Sequence, residues 1–272
     1  MATTIYRDIN SVTTLLAIEN QLTAALGIDM TYRPGTTINS KRGVLADVIP
    51  TVVPRIRYFG IGIKGYANLT SENNIAQPFM PKATDCDLYE PIPFRCVTTP
   101  LASPDADQYV MRTTTTIDGR THYLYWLKKI EFESSTVRLT KIVNKVEEQY
   151  TIDSASLNPV PSDIYPTDVA EAASRITASV TGICRVTGEE VVEVINALYG
   201  GDMRRARISE IGTYSGIPYN VEADATTGLP AAEEAAYVQL ATHKCSTGQT
   251  LSDPTAYFIE RKNFESNATS SI

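Results

Sequence analysis

Acid–base and nucleophilic chemistry at neutral pH falls first to histidine and cysteine. The chain of 272 residues has two histidines and four cysteines. His122 opens the aromatic run Tyr123-Leu-Tyr-Trp126 and reads as a packed or edge side chain. His243 stands two residues before Cys245. The Ala/Glu-rich stretch 231–243 after Pro230 predicts a helix. That puts His243 at a helix C-terminus, where the dipole favours a cation. Residues two apart on a helix face different ways, so His243 and Cys245 are not expected to form a thiol–imidazole site. The sequence holds no GxSxG, no HExxH and no P-loop. Gly60-Ile-Gly62-Ile-Lys-Gly65 has the spelling GxGxxG, but it lies in a strand pattern with no helix after it. Gly60 and Gly62 are read instead as places where another backbone approaches closely. Asp85-Cys86-Asp87 and Asp105-Ala-Asp107 lack the further oxygens and glycine turn of a hard-ion loop, so they read as solvated loop acids. No catalytic residue, cofactor or metal ligand is expected, and the chain reads as a non-enzyme.

What remains is a set of side chains suited to gripping a partner. Arg55 and Arg57 share one face of a predicted strand with Phe59 and Ile61. A basic and aromatic face fits an acidic protein surface, or nucleic acid locally. Arg204, Arg205 and Arg207 lie between Asp202 and Glu210, where local ion pairing is the leading reading. With Tyr123, Tyr125 and Trp126 these arginines and Phe59 complete the candidate partner-binding set.

The elements that must position them read as follows. Val12, Leu15, Leu16, Leu22 and Leu26 recur at helical spacing over 10–26. Residues 44–53 are apolar and β-branched, and 55–63 form a strand. Residues 77–107 carry six prolines and little periodicity, so they read as a long irregular arm. Asp118-Gly119 is a type I′ turn joining strands 108–117 and 120–131. Tyr123, Tyr125 and Leu127 lie on one face of the return strand and His122, Leu124 and Trp126 on the other, so both faces should be covered. Strands at about 135–143 and 147–152 extend a meander. Then come predicted helices at 168–180 and 188–199, the second opened by the capping box Thr187-Gly-Glu-Glu190 and ended by Gly200-Gly201. Residues 207–219 and 255–262 read as extended. The fold class is α+β, an antiparallel β-meander core with a helix-containing C-terminal region. The predicted division is a β-rich domain at 1–152, a Pro-rich linker at 153–166, an acidic α+β region at 167–262 and a mobile tail at 263–272.

Composition agrees with a globular chain, 43% hydrophobic and 20% charged. Residues 1–150 carry 16 Lys/Arg and 15 Asp/Glu, a balance of +1, whereas residues 151–272 carry 8 and 16, a balance of −8. An acidic second part argues against a general DNA-coating role. No stretch approaches the ~20 apolar residues needed to span a bilayer, and the polar start is unlike a secretory signal, so folding in a cytoplasm is expected. Reduced thiols are the default, although Cys86 and Cys96 are close enough in sequence to close a loop under oxidising conditions.

The stretch Val191-Val-Glu-Val-Ile-Asn-Ala-Leu-Tyr-Gly-Gly-Asp202, with Arg207-Ile-Ser-Glu-Ile-Gly-Thr-Tyr-Ser-Gly216, resembles segments of structural proteins of tailed-phage virions. So does the Thr- and Tyr-rich style that begins at Met-Ala-Thr-Thr. The resemblance implies a ring-forming neck or collar subunit, or a tail or baseplate component. It implies a homo-oligomer with portal, neck, tail-tube or sheath neighbours in a virion assembled in the host cytoplasm. Readings from other classes stay open at this point. One is a peptide- or carbohydrate-binding module. The other is an enzyme using the loop acids of 85–107.

Overall fold

A computed structural model describes residues 11–15, 17–18, 21, 37–44, 54–68, 76–143, 146–149 and 172–271. In chain order the first strands are β1 (Ser11–Thr13), β2 (Arg55–Gly62), β3 (Tyr66–Asn68) and β4 (Ala76–Pro78), with helix α1 (Ile38–Arg42) between β1 and β2. Next come β5 (Pro91–Ile92), β6 (Arg95–Val97), β7 (Tyr109–Ile117), β8 (Arg120–Lys129), β9 (Glu131–Val143) and β10 (Val146–Gln149). The chain ends with β11 (Ala172–Thr187), helix α2 (Gly188–Tyr199), β12 (Arg207–Val221), β13 (Ala232–Thr250) and β14 (Tyr257–Ser271). The class is α+β, mainly antiparallel β, with the longer helix in the C-terminal half.

The chain divides into two units, Met1–Ile130 with Arg185–Ile259, and Glu131–Cys184 with Glu260–Ile272. This differs from the expected division at 153–166, which lies outside the described residues. The reason is pairing. After β8 the chain leaves the first sheet, and β9 and β10 join a separate four-stranded sheet ordered β10-β9-β11-β14. The first unit holds an eight-stranded sheet ordered β1-β13-β12-β2-β8-β6, with β5 on β2 and β7 on β8.

The hairpin β7–β8 is as read from the sequence. Asp118 (φ 48°) and Gly119 (φ 73°) both take the left-handed conformation that a type I′ turn requires. Tyr125, Leu124 and Leu127 are buried, so both faces of β8 are covered. Helix α2 has its capping box, with Thr187 and Glu190 bonding each other's backbone amides, and Gly200 closes it in the left-handed conformation. The core gathers Ile38, Tyr58, Val110, Leu127, Tyr214, Val238 and Leu240.

Five expectations are corrected. Residues 11–13, placed at the start of a helix, are strand β1 paired with Thr242–Lys244. Helix is found at positions 15, 17, 18 and 21, and the rest of 16–26 lies outside the described residues. The segment 77–107 is no free arm, because Leu88, Ile92, Phe94 and Cys96 are buried in the first unit. Its prolines keep strands β5 and β6 short rather than keeping the chain loose. The segment 172–180 belongs to strand β11; its Thr, Val and Ile content outweighs the helical spacing of Val169, Ala173, Ile176 and Val180. The Ala/Glu stretch is strand β13, and Ala235, Ala236, Val238, Leu240 and Ala241 are buried. Small alanines suit a strand packed on two faces, so tertiary burial overrides their helix propensity. A bulge at Tyr237 (φ 52°) interrupts the ladder, and Asn39 replaces the lost bonds by donating to the Ala235 carbonyl and accepting from the Val238 amide, both at 2.8 Å. Finally, the expected tail at 263–272 continues as β14 to Ser271.

Candidate functional site

The strand identity of β13 changes the chemistry of its residues. Side chains two apart on a strand share a face, so His243 and Cys245 stand side by side. Register places Cys245 opposite Glu210 of β12, and Glu210 opposite Gly62 of β2. His243 is opposite Gly212, which is opposite Gly60. Three glycines therefore leave a low floor beside one imidazole, one thiol and one carboxylate. A Cβ at Gly62 would stand 2.5 Å from Glu210 Oε2 and 2.9 Å from the Glu90 carbonyl, so this closeness requires glycine. The GxGxxG spelling serves close packing, as its strand context implied.

The segment 82–90 covers this floor. Asp85 Oδ2 lies 2.9 Å from His243 Nδ1, and Glu210 Oε1 lies 3.2 Å from His243 Nε2. Cys245 Sγ is 3.6 Å from the same Nε2. Glu210 also accepts backbone N–H bonds from Tyr89 (2.7 Å), Lys64 (3.0 Å) and Glu90 (3.1 Å). The Tyr89 hydroxyl donates to Asp85 at 3.2 Å, and its ring meets the His243 ring edge to face at 4.8 Å. Glu210, His243 and Cys245 have no exposed surface. Asp85 is thus a structural and electrostatic partner, not the solvated loop acid expected.

Burial alone would lower the His243 pKa, but bonds to Cys245, Glu210 and Asp85 outweigh it and hold the imidazole up at about 10. Burial would raise Glu210, but the His243 bond and three backbone amides outweigh it and hold the carboxyl below its usual range. A raised histidine contributes stability that is complete below its unfolded pKa, about 6.5, and is lost as pH rises through about 10. In metal-free buffer the melting temperature should therefore fall between pH 6.5 and 10, and His243→Gln should flatten that fall. An unchanged slope in the variant would remove His243 from the account.

Asp85, His243 and Cys245 follow the donor order of a cysteine nucleophile and its base. Two features oppose that use. Glu210 shares the nitrogen that would take the thiol proton, and the thiol has no surface from which to reach a substrate.

The expected partner-binding set separates. Phe59 and Tyr125 are fully buried, Phe59 against Phe94 at 5.1 Å and Tyr125 accepting from the Leu101 amide at 2.8 Å, so both belong to the core. Trp126 is half-buried, donates to Thr113 at 2.8 Å, and lies under Arg42 at 4.0 Å. Tyr123 is half-buried, and Arg55 and Arg57 are exposed at the start of β2. Arg204 is held by Asp202 at 2.7 Å, as read from the sequence. Arg205 pairs with Glu90 at 3.0 Å and covers Tyr199, while Arg207 lies over Tyr66 at 4.5 Å. Arg55 pairs with Gly216 and Gly62 with Glu210, so Arg55 and Arg207 lie at opposite ends of the β2–β12 ladder. At ~3.3 Å per residue they are about 25–30 Å apart and form no single basic patch.

Fold and cluster together define a mainly antiparallel β protein with a buried carboxylate–imidazole–thiol centre. A family model described as a family of unknown function, DUF7208, matches residues 1–254, and the chain belongs to that family. No curated protein and no solved structure matches it.

Proposed function

We propose that this chain is a structural subunit of a tailed-phage virion, forming a ring at the neck or collar and working by binding other polypeptide chains. Portal, tail-tube or sheath proteins are its proposed neighbours. The observation that carries the reading is the sheet of the second unit. On β9 the side chains from Glu131 to Arg138, Ser134 aside, are exposed; residues 135–138 alternate between the two faces of the sheet, and a bulge interrupts the alternation between Phe132 and Ser134. Phe132, Val137 and Val146 are 45%, 75% and 58% exposed. Sheets gain stability by burying a face against a second layer. Pairing with Gly182, Ala178 and Val143 puts Phe132, Val137 and Val146 on one face of the sheet, and large apolar side chains exposed on one face mark a surface for another chain.

The occupant we assign is a second copy of this chain. The two outer strands of this sheet, β10 and β14, are different edges, four and fifteen residues long. Contact between unlike edges is head-to-tail, and a head-to-tail contact whose rotation closes makes a ring. Light scattering or electron microscopy of the native protein should give a discrete multiple of the 29.8 kDa chain, six or twelve copies. Val137→Asp should leave circular dichroism and melting temperature unchanged and shift assembly to at least about tenfold higher protein concentration, a penalty of about 1.4 kcal/mol. A wild-type protein that stays monomeric at every concentration, alone and with candidate neighbours, removes the reading.

A further inference from the structure

We infer that Glu210, His243 and Cys245 form a transition-metal site, suited to Zn²⁺, with Asp85 holding the imidazole from behind. The inference is independent of the assembly reading.

The donor set is one oxygen, one nitrogen and one sulfur, the mixture that zinc takes. The spacing fits as well. Zinc bonds of about 2.0 Å to N and O and about 2.3 Å to S, at tetrahedral angles, put N and O about 3.3 Å apart and N and S about 3.5 Å apart. His243 Nε2 is 3.2 Å from Glu210 Oε1 and 3.6 Å from Cys245 Sγ. All three donor atoms lie within 4.8 Å of one another.

Hydrogen bonding accounts for this arrangement less well. Nε2 has a single hydrogen-bonding position in either tautomer but faces two groups, the Glu210 carboxylate and the Cys245 sulfur. Its contact with the carboxylate, at 3.2 Å, is longer than the roughly 2.7–2.9 Å usual between an ionised donor and acceptor. An ion shared by the three atoms removes that conflict. Asp85 at 2.9 Å from Nδ1 is the carboxylate partner that metal-bound histidines characteristically have, fixing the tautomer that presents Nε2. Tyr89 in turn bonds Asp85. Glu210 keeps its amide bonds, since each carboxylate oxygen has two lone pairs.

A divalent ion held by the Glu210 carboxylate and the Cys245 thiolate has its charge matched by its own ligands, so the buried centre takes it without new uncompensated charge. Three protein donors leave a fourth coordination position.

The test uses the full chain, stripped with a chelator and titrated with Co²⁺ as the spectroscopic probe and with Zn²⁺ in competition. One Co²⁺ per chain should bind and show near-ultraviolet thiolate-to-cobalt absorption, and one Zn²⁺ should displace it. Cys245→Ser, with folding checked by circular dichroism, should lose the absorption and bind at least about tenfold more weakly. Asp85→Asn should keep the absorption and weaken binding by about 10- to 100-fold. Cys86→Ser, Cys96→Ser and Cys184→Ser should behave as wild type. If Cys245→Ser does not fold, the wild-type titration and these three controls still decide, since Cys245 is then the one thiol left. Absence of thiolate absorption in wild type, its loss in any control, or its persistence in a folded Cys245→Ser overturns the assignment.

Discussion

Glu190→Ala is expected to destabilise the first unit by about 3–5 kcal/mol, well above the ~1 kcal/mol of a lost helix cap. The carboxylate serves three partners at once. Oε2 accepts the Thr187 amide at 2.7 Å and closes the capping box. Oε1 accepts the Tyr109 hydroxyl at 2.6 Å and the Lys128 ammonium at 2.7 Å. The Lys128 and Glu190 side chains are only 7% and 5% exposed. Removing the carboxylate leaves a buried ammonium without its counter-charge, which costs more than the pair itself contributes. Burial, then the neighbouring Glu190 charge, raises the Tyr109 hydroxyl far above its ordinary pKa, so it stays a donor. Glu190→Gln keeps an acceptor for the cap but loses the charge, and should recover only about 1 kcal/mol. Adding Lys128→Met to Glu190→Gln should recover more, because no buried charge is then left alone. Urea unfolding of the three variants measures this. A loss near 1 kcal/mol for Glu190→Ala would mean that the residue only caps the helix.

Glu190 also shows how much of the molecule was legible in the sequence. Its capping role follows from a four-residue pattern, Thr187 to Glu190, and helix α2 is where that pattern puts it. Asp118-Gly119 is the same kind of local signal, and the hairpin follows from it. The partners Tyr109 and Lys128 are 81 and 62 residues away, and no spacing rule reaches that far. The buried cluster was missed for a more specific reason. Reading 231–243 as a helix turned His243 and Cys245 to different faces. As a strand the same two residues share one face, and a period of two through Thr242-His-Lys-Cys245 was the signal available. Asp85 could not be assigned to His243 from sequence, since 158 residues separate them. The long-range pairing of β9 with β11, rather than with β8, was equally unreadable, because β9 alternates plausibly in either sheet.

The glycine string gives the second large effect. Alanine substitutions at Gly60, Gly62 and Gly65 should destabilise in that order, because the atoms they meet are progressively less able to yield. A Cβ at Gly60 meets side-chain atoms of Leu127 and Tyr214, each at 3.0 Å, which need give by only a fraction of an ångström, so the cost should be about 1 kcal/mol. At Gly62 it meets Glu210 Oε2 at 2.5 Å and the Glu90 carbonyl at 2.9 Å. That carboxylate is held by His243 and backbone amides, so about 2–3 kcal/mol is expected. At Gly65 it meets the backbone carbonyl of Ser209 at 2.1 Å, and the Gly65 amide donates to Ser209 Oγ at 2.8 Å. Strand β12 must move away, loosening that bond beside Glu210, and a loss of about 3 kcal/mol or more follows. Alanine also reduces the freedom of the unfolded chain, which offsets about 0.4–1 kcal/mol at each position and leaves the order intact. Thermal unfolding of the three variants reads the ranking directly. Gly65→Ala as the mildest of the three would mean that residues 63–65 do not press on β12, and Glu210 would lose the backbone support that holds it over the glycine floor.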